Sequence, residues 1–261
     1  MRKALRFAVA LAALAAVTGV AAAKDWKTET VIVGMDATYP PFESQDAAGN
    51  IVGFDVDVGK ALCEEAKLRC EFVNQEWDGI IPALTAGKID AILSSMSITE
   101  ERMKTIDFTG KVYNTPPAIA VPKDSDITEI SKEALAGKAI GAQSSTTHAA
   151  YGEATFTDSE IRLYKTADDY KLDLGAGRLD AAMDDIIVLS DWLATPDGAC
   201  CKLLGTITPD VAIHGAGAGI GVRKEDGDLK DILNNAIAAI RANGKYKEIN
   251  EKYFTFDAYG G

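Results

Sequence analysis

The sequence predicts an α/β protein of two lobes, each built on a mostly parallel sheet flanked by helices. Short apolar segments that suit buried strands alternate with helical segments along most of the 261 residues. A glycine, a basic residue, an apolar residue, aspartate and alanine stand in that order at 87–91 and again at 177–181. This repeat indicates two lobes of the same design. The proline pair at 116–117 and the glycines of 215–219 suit the segments that cross between them.

Two crossings divide the chain into parts. We expect a signal peptide at 1–23, the first part of lobe 1 at 24–114, lobe 2 at 115–214 and the return part of lobe 1 at 215–261. A first lobe made of two separate parts implies a cleft between the lobes. Because open α/β sheets bind ligands beyond the carboxyl ends of their strands, the cleft is the expected binding site.

The first 23 residues have the composition of a secretory signal peptide. A basic start over 2–6 precedes an apolar run over 7–20, and small residues close the segment. A membrane anchor is the alternative, but the apolar run is short and the polar chain begins at Lys24. We therefore expect cleavage after Ala23 and a location in the periplasm.

The charge of the chain bears on its partners. Loss of the three basic residues in the signal peptide takes the formal net charge from −12 to −15. Such acidity disfavours nucleic acid and anionic membranes and is compatible with cationic ligands. We therefore expect no nucleic-acid partner.

Apolar periodicity and turn residues predict the strands and helices of lobe 1. Strands are expected at 30–35, 70–73 and 89–93, and helices at 55–66 and 77–85. The prolines Pro40 and Pro41 exclude a helix after the first strand. Gly87 suits the left-handed end of the second helix. Thr99 suits the N-cap of a short helix that carries Arg102.

The same alternation continues in lobe 2 and in the return part. Strands are expected at 119–121, 139–143, 161–164 and 219–223, and helices ending at 151 and spanning 166–176, 228–243 and 246–253. Gly244 suits the end of the long C-terminal helix. The glycines of 215–219 are flexible enough to serve as a hinge.

Four cysteines are present, and an exported protein can keep disulfides. Cys63 and Cys70 lie near a helix end and the start of the next strand, close enough for a bridge. Cys200 and Cys201 are adjacent, which leaves a vicinal disulfide, free thiols and an intermolecular link as alternatives. The chain has no Cys-x-x-Cys pair and only two histidines, so we expect no metal site.

Four polar segments directly follow predicted strands and are expected to meet at the cleft. These segments are 36–39, 94–102, 144–147 and 184–185. Together they offer one cation, several hydroxyl and N–H donors, and carboxylates. This is the inventory that a zwitterion requires.

The residue types assign roles in such a site. Arg102 suits a bidentate bond to an α-carboxylate, helped by N–H groups near Ser97 and Thr147. Asp185 suits the α-ammonium, and Asp36 suits the ligand side chain. Each carboxylate taken alone is also compatible with a solvated loop residue, but their placement after successive strands favours a binding role.

Two aromatic residues add to the site, and catalytic motifs are missing from the sequence. Tyr39 and Trp77 can hold a cationic or alkyl side chain between their rings, although core packing at a helix start is the alternative for Trp77. The sequence has no nucleophile elbow, no phosphate-binding loop and no dinucleotide fingerprint in a strand-to-helix context. We therefore expect a binding protein rather than an enzyme, with no cofactor.

Several motifs occur in an order typical of one protein family. They are Asp36-Ala37-Thr38-Tyr39-Pro40-Pro41-Phe42, Gly53-Phe54-Asp55-Val56-Asp57, Ile80-Ile81-Pro82-Ala83-Leu84, Lys88-Ile89-Asp90-Ala91-Ile92, Ser97-Ile98-Thr99-Glu100-Glu101-Arg102, Gly177-Arg178-Leu179-Asp180-Ala181-Ala182 and Gly219-Ile220-Gly221-Val222-Arg223-Lys224. With these motifs, the chain resembles the extracytoplasmic solute-binding proteins of ABC-type amino-acid importers over about residues 30–259. It is particularly similar to the lysine/arginine/ornithine and histidine binding proteins.

The resemblance implies a periplasmic-binding-protein fold whose lobes close by a hinge on an L-amino acid. The implied ligand has a basic side chain: arginine, lysine, ornithine or histidine. The protein would be a monomer that delivers this ligand to an inner-membrane ABC permease. The resemblance also matches the Cys63 and Cys70 pair to a disulfide of the relatives that bind basic amino acids.

The resemblance assigns residue roles that agree with those argued above. It implies a ligand-binding set of Asp36, Tyr39, Trp77, Ser94, Ser95, Ser97, Arg102, Gln143, Thr147 and Asp185. Tyr39 and Trp77 would sandwich the ligand side chain. Asp36 and Ser94 would bind its distal group, and the other serines would supply polar contacts to the ligand.

Two residues depart from the pattern of these relatives. Gln143 stands where an apolar residue is usual, and Ser145 stands where glycine is usual. The added polarity suits a longer ligand such as the opine octopine, and Asp36 is also compatible with glutamine. An exported cyclohexadienyl dehydratase is the alternative from a different class. It requires cations for two carboxylates, whereas this cleft has more carboxylates than cations.

Overall fold

The computed structural model describes residues 24–260, so the predicted signal peptide at 1–23 lies outside the described residues. The strands are β1 Thr30–Met35, β2 Thr38–Tyr39, β3 Glu43–Gln45, β4 Ile51–Val52, β5 Arg69–Asn74, β6 Ala91–Ile92, β7 Asp107–Tyr113, β8 Pro117–Pro122, β9 Ala139–Gln143, β10 Glu160–Tyr164, β11 Ala181–Asp185, β12 Cys201–Thr206 and β13 Ala218–Val222. The helices are α1 Phe54–Ala66, α2 Trp77–Thr85, α3 Glu100–Met103, α4 Lys132–Leu135, α5 Thr147–Thr155, α6 Ala167–Gly175, α7 Ile186–Leu193, α8 Val211–His214, α9 Gly227–Ala242 and α10 Lys245–Tyr253.

Two five-stranded sheets of the same design form the two lobes, as the sequence predicts. The first has the strand order β5-β1-β6-β13-β7, and the second has the order β10-β9-β11-β8-β12. In each sheet three neighbouring strands are parallel, and the fourth is antiparallel to both of its neighbours. A small antiparallel sheet, β2-β3-β4, adjoins the first lobe. The predicted α/β class with mostly parallel sheets is confirmed.

The chain passes between the sheets twice. It leaves the first sheet after β7 and enters the second at β8, and it returns between β12 and β13. Gly215 has a φ of 75° and Gly217 a φ of 106°, the left-handed region that favours glycine. A Cβ at Gly215 would collide with the carbonyl of Ile98. The return segment therefore packs directly against the loop that precedes α3.

Most predicted elements lie where the sequence places them, including β1, α2 and the N-cap at Thr99. The Thr99 hydroxyl accepts a hydrogen bond from the backbone N–H of Arg102 at 3.2 Å. Gly87 has a φ of 70° and follows α2, as expected of a left-handed helix end. Local capping chemistry was therefore sufficient to predict how the arginine is presented.

Three regions differ from the sequence prediction. The predicted strand at 89–93 is assigned only at Ala91–Ile92, although the N–H groups of Asp90 and Leu93 still donate to β1. Asp184 and Asp185 do not form a loop, because β11 pairs with the antiparallel β8 through both of them. No strand or helix is predicted from the sequence in the segments that form β7, α7 and β12. The first residues of α7 are strand-like by propensity, but the Asp185 side chain caps their N–H groups and a helix forms.

Each lobe has its own apolar core on the faces of its sheet. In the first lobe, the ring of Phe42 lies 4.9 Å from that of Tyr113 and packs edge-on against Phe54. In the second lobe, Tyr170 and Trp192 are buried against the sheet. Within residues 24–260, no helix is both long and apolar enough to cross a bilayer.

Both cysteine pairs are joined in the structure. Cys63 at the end of α1 is bonded to Cys70 in β5, with their Cα atoms 6.2 Å apart. Cys200 is bonded to Cys201, the first of the three arrangements that the sequence leaves open. The first pair anchors α1 to the edge strand of the first sheet.

Removal of the Cys63–Cys70 bridge should lower the free energy of unfolding by about 2.5 kcal/mol, because an eight-residue loop is no longer closed in the unfolded chain. In a chain of this size, this corresponds to roughly 5–10 °C in unfolding temperature. Differential scanning calorimetry of the Cys63→Ala/Cys70→Ala variant measures it. The Cys200→Ser/Cys201→Ser variant is the control and should lose less, since its loop is shorter. Equal losses for the two variants would contradict this account.

Candidate functional site

The cleft between the lobes collects polar residues from the carboxyl ends of parallel strands. Asp36 follows β1 and Ser94 lies just beyond β6, while Gln143 and Asp185 are the last residues of β9 and β11. The polar residues at the carboxyl ends of these strands, from both sheets, therefore converge on the cleft. This is the arrangement expected of a ligand site in open α/β sheets.

Two adjoining cavities occupy the cleft. We call the one lined by Trp77, Arg102 and Gln143 the arginine cavity, and the one lined by Asp185 and Gly215 the hinge cavity. The hinge cavity has a volume of about 300 Å³, at the lower end of the range for small-molecule sites. The two cavities share lining residues Tyr39, Ser95, Ser97, Thr147 and His148.

The structure brings the predicted binding residues together. Nine of the ten line one or both cavities, and Asp36 is the exception. Asp36 is buried and is hydrogen-bonded to the Gln143 side chain. Thr147 begins α5, where the first N–H groups have no partner within the helix.

Arg102 is a half-buried cation that has no carboxylate partner among the residues that the structure describes. Its guanidinium donates to the carbonyl oxygens of Ser97 at 2.9 Å and Ser145 at 3.1 Å. It lies 5.3 Å from the centre of the Trp77 ring, in reach of a cation–π interaction. Burial lowers the pKa of Arg102 to about 10, so the group stays charged at neutral pH. Two carbonyl acceptors do not neutralise this charge, and an anionic ligand would.

Asp185 is the opposite case, a buried carboxyl group without a basic partner among the described ion pairs. Its oxygens accept hydrogen bonds from the Ile187 N–H at 2.7 Å and from the Thr115 hydroxyl. Burial raises the pKa of Asp185 to about 7 in spite of these donors, and the neighbouring Asp184 adds to the shift. A cationic group in the hinge cavity would restore the ionised form.

Asp36 is held by donors from both lobes. The Gln143 Nε2 donates to one oxygen at 2.9 Å, and the Thr38 hydroxyl donates to the other at 2.9 Å. Burial raises the pKa of Asp36, while these two hydrogen bonds oppose the rise. The carboxyl is therefore placed one amide group away from the arginine cavity.

A second pair of carboxyl groups lies beneath the serines of the loop after β6. Ser94 donates to Glu43 at 2.7 Å, and the Ser95 N–H donates to Asp55 at 3.0 Å. Burial and the nearby Asp55 carboxyl raise the pKa of Glu43 well above its usual range. Burial raises the pKa of Asp55 to about 6. The pair fixes the two serines, and its negative charge near neutral pH lies on Asp55, because the raised pKa of Glu43 keeps that group protonated.

Direct contacts join the lobes across the cleft. The Tyr39 hydroxyl of lobe 1 donates to Asp184 of lobe 2. The hydroxyl groups of Ser144 and Ser145 lie 2.9 and 2.8 Å from Asp78 of lobe 1. Ser145 has a φ of 58°, in the left-handed region that favours glycine.

Sequence reasoning missed two contributors to the site, Asp78 and Glu43, which no local pattern marks. Asp184 belongs to the segment 184–185 that was expected at the cleft, but no role was assigned to it. His148 lines both cavities, and its Nε2 lies 3.3 Å from Asp184. Burial lowers the pKa of His148, so the ring is neutral at pH 7.

The site is suited to binding rather than to holding a metal. The described residues contain no group of three or more histidine, cysteine, aspartate or glutamate side chains that could hold a metal ion. What the cleft offers is a guanidinium on one wall, carboxyl groups on the opposite walls, and aromatic rings between them. These groups complement a small zwitterion.

Comparison with known proteins agrees with this geometry. The model of the family described as bacterial extracellular solute-binding proteins, family 3, matches residues 31–256. An L-arginine-binding protein of Pseudomonas aeruginosa is 46% identical over 233 residues, 88% of this chain and 90% of that protein. A histidine-binding periplasmic protein of Escherichia coli is 41% identical over 260 residues, 98% of this chain and 96% of that protein.

Comparison with solved structures also finds an amino-acid-binding protein. An ancestral arginine-binding protein bound to arginine superposes with a TM-score of 0.80 at 34% sequence identity, covering 86% of this chain and 98% of that chain. The family match spans both lobes and the whole cleft. This chain belongs to the family 3 bacterial extracellular solute-binding proteins.

Proposed function

We propose that this protein is a periplasmic solute-binding protein that captures an L-amino acid with a basic side chain and delivers it to an inner-membrane ABC permease. The ligand is arginine, lysine, ornithine or histidine. It binds in the cleft as the lobes close. The protein acts as a monomeric carrier, without a cofactor and without a catalytic step.

One observation carries the proposal: among residues 24–260, Arg102 has no carboxylate partner and Asp185 has no basic partner. Both groups face the cleft from different lobes. The two ends of an α-amino acid supply the missing charges, with its carboxylate on Arg102 and its ammonium on Asp185. Charge-assisted hydrogen bonds of this kind are stronger than neutral ones.

The preference for a basic side chain follows from the excess of acid around the site. Beyond Asp185, the buried carboxyl groups of Asp36 and of the Glu43–Asp55 pair lie near the arginine cavity, and the raised pKa of Glu43 leaves the negative charge of that pair on Asp55. None of them forms an ion pair with lysine or arginine among the described residues. A third, positive charge on the ligand would offset this potential. Relatives named for arginine and histidine support the same ligand class.

Closure follows from the division of the ligand's partners between the lobes. Arg102 and Trp77 belong to lobe 1, whereas Gln143 and Asp185 belong to lobe 2. A ligand bound to both sets stabilises the closed form over an open one, which is the differential affinity that closure requires. The crossings near 114 and 215 are the proposed hinges.

Thermal unfolding of the ligand-stripped protein tests the proposal. At a concentration about 100-fold above its dissociation constant, a ligand stabilises by about 2.7 kcal/mol, which is roughly 5–11 °C for a chain of this size. We expect this shift with arginine, lysine, ornithine or histidine. A shift confined to octopine or to glutamine would contradict the basic preference.

An enzymatic role is tested separately. Incubation with prephenate or arogenate, followed by an ultraviolet scan for an aromatic product, should show no turnover. Product formation at a rate proportional to protein concentration would overturn the carrier assignment.

A further inference from the structure

The contacts of the Gln143 side chain fix which of its atoms faces a ligand. Its Nε2 donates to the Asp36 carboxyl at 2.9 Å and to the Lys165 backbone carbonyl at 2.9 Å. A carbonyl oxygen only accepts, as does an ionised carboxylate, so the NH₂ end of the amide must face them. Both amide hydrogens are thereby used, and the orientation of the amide is settled.

The other end of the amide is the acceptor that remains. Gln143 lines the arginine cavity, and its Oε1 accepts no hydrogen bond from the described residues. Asp36 lines neither cavity, and its carboxyl group is hydrogen-bonded to the side chain of Gln143, which does line the arginine cavity. A ligand in the arginine cavity can therefore contact the neutral carbonyl oxygen of Gln143, whereas the Asp36 carboxylate is not part of the cavity wall.

We propose that Gln143 makes the direct contact with the distal end of the ligand through Oε1, and that Asp36 is a positioning residue that holds the amide. This inference rests on the proposed function and refines it. The distal subsite then selects side chains that end in an N–H donor, such as a guanidinium, an ammonium or an imidazole. The negative charge of Asp36 polarises the Gln143 amide through their hydrogen bond. This favours ligand N–H donors that are also positively charged.

Calorimetric titration with arginine, lysine and norleucine tests the assignment, since norleucine has an unbranched side chain without a distal donor. The Gln143→Leu variant should bind arginine and lysine roughly 10- to 100-fold more weakly, the range for losing a hydrogen bond to a charged group. Its affinity for norleucine should stay the same or rise. Gln143→Met serves as a second variant if the leucine variant unfolds, and the exposed Gln45→Leu is the matched control.

Substitutions at Asp36 separate positioning from direct contact. Asp36→Asn can still accept from Gln143 through its amide oxygen, so it should retain arginine affinity within a few-fold. Asp36→Ala frees the amide and should lose about as much as Gln143→Leu. The double variant should lose little more than either single variant, because the two residues act as one unit.

Two results would overturn the assignment. One is a Gln143→Leu variant that keeps or gains arginine affinity while Asp36→Ala loses it. The other is additive loss in the double variant, which would mean that Asp36 contacts the ligand independently. Failure of the proposed function gives a different pattern, since the unmodified protein would then bind neither arginine nor lysine.

Discussion

Replacement of Arg102 by alanine should weaken binding of every amino acid by at least about 100-fold. The guanidinium is the cation proposed for the α-carboxylate, which all amino acids share, and loss of a hydrogen-bonded charge pair costs 2–5 kcal/mol or more. The loss should therefore not depend on the ligand side chain. Arg102→Lys should recover only part of the affinity, because an ammonium cannot form the bidentate bond. Calorimetric titration with arginine, lysine and histidine measures these effects.

The Arg102→Ala variant should still fold, which makes the result interpretable. Within the described part of the chain, no carboxylate loses its partner in this variant, since the Arg102 side chain donates there only to backbone carbonyl oxygens. Arg178→Ala is a matched control, because Arg178 is exposed and paired with Asp173 at 2.8 Å. Its ligand affinity should be unchanged. An Arg102→Ala variant that binds within threefold of the unmodified protein would contradict the assigned role.

Replacement of Asp185 by asparagine should abolish ligand binding and at the same time stabilise the ligand-free protein. Burial raises the pKa of this carboxyl to about 7, so its ionised form is disfavoured by folding. Asparagine keeps an acceptor for the Ile187 N–H and removes the charge. A pKa raised from 3.8 to about 7 corresponds to an expected gain of roughly 4 kcal/mol near pH 8, or roughly 8–16 °C in unfolding temperature.

The sign of the pH dependence follows from the same group. Between its usual pKa and about 7, the folded state binds the proton more tightly than the unfolded chain. The contribution of Asp185 to stability is therefore lost as the pH rises through this range. The advantage of Asp185→Asn should accordingly grow from near zero at about pH 4 to its full value above pH 7.

Ligand affinity should depend on pH in the opposite direction. An α-ammonium requires the ionised Asp185, so the affinity of the unmodified protein should fall by up to about tenfold per pH unit below 7 and stay level above it. Titrations near pH 5.5 and pH 8 measure the difference. A variant that loses stability near pH 8, or an affinity that rises as the pH falls, would contradict the role of Asp185.

The elements that present the site were predictable because their signals are local. Thr99 caps α3 through a bond to an N–H three residues away, and Gly87 ends α2 in the left-handed conformation. Such features depend on neighbours in sequence, so residue types and spacing reveal them. The local signal failed at β11 and α7. There, pairing with β8 and the cap by Asp185 decided the structure.

By itself, the sequence determined the two-lobed α/β class and a set of ten binding residues of which nine line the cleft cavities, since polar residues follow the strands that converge there. Only the tertiary structure decided which of them meet. Gln143 reaches Asp36 across 107 positions, and Tyr39 reaches Asp184 across 145. These contacts depend on how one lobe sits against the other, which no periodicity within either lobe encodes. The sequence predicts both Asp36 and Gln143 for the site, and the tertiary structure decides that Gln143 lines the arginine cavity while Asp36 is hydrogen-bonded to it.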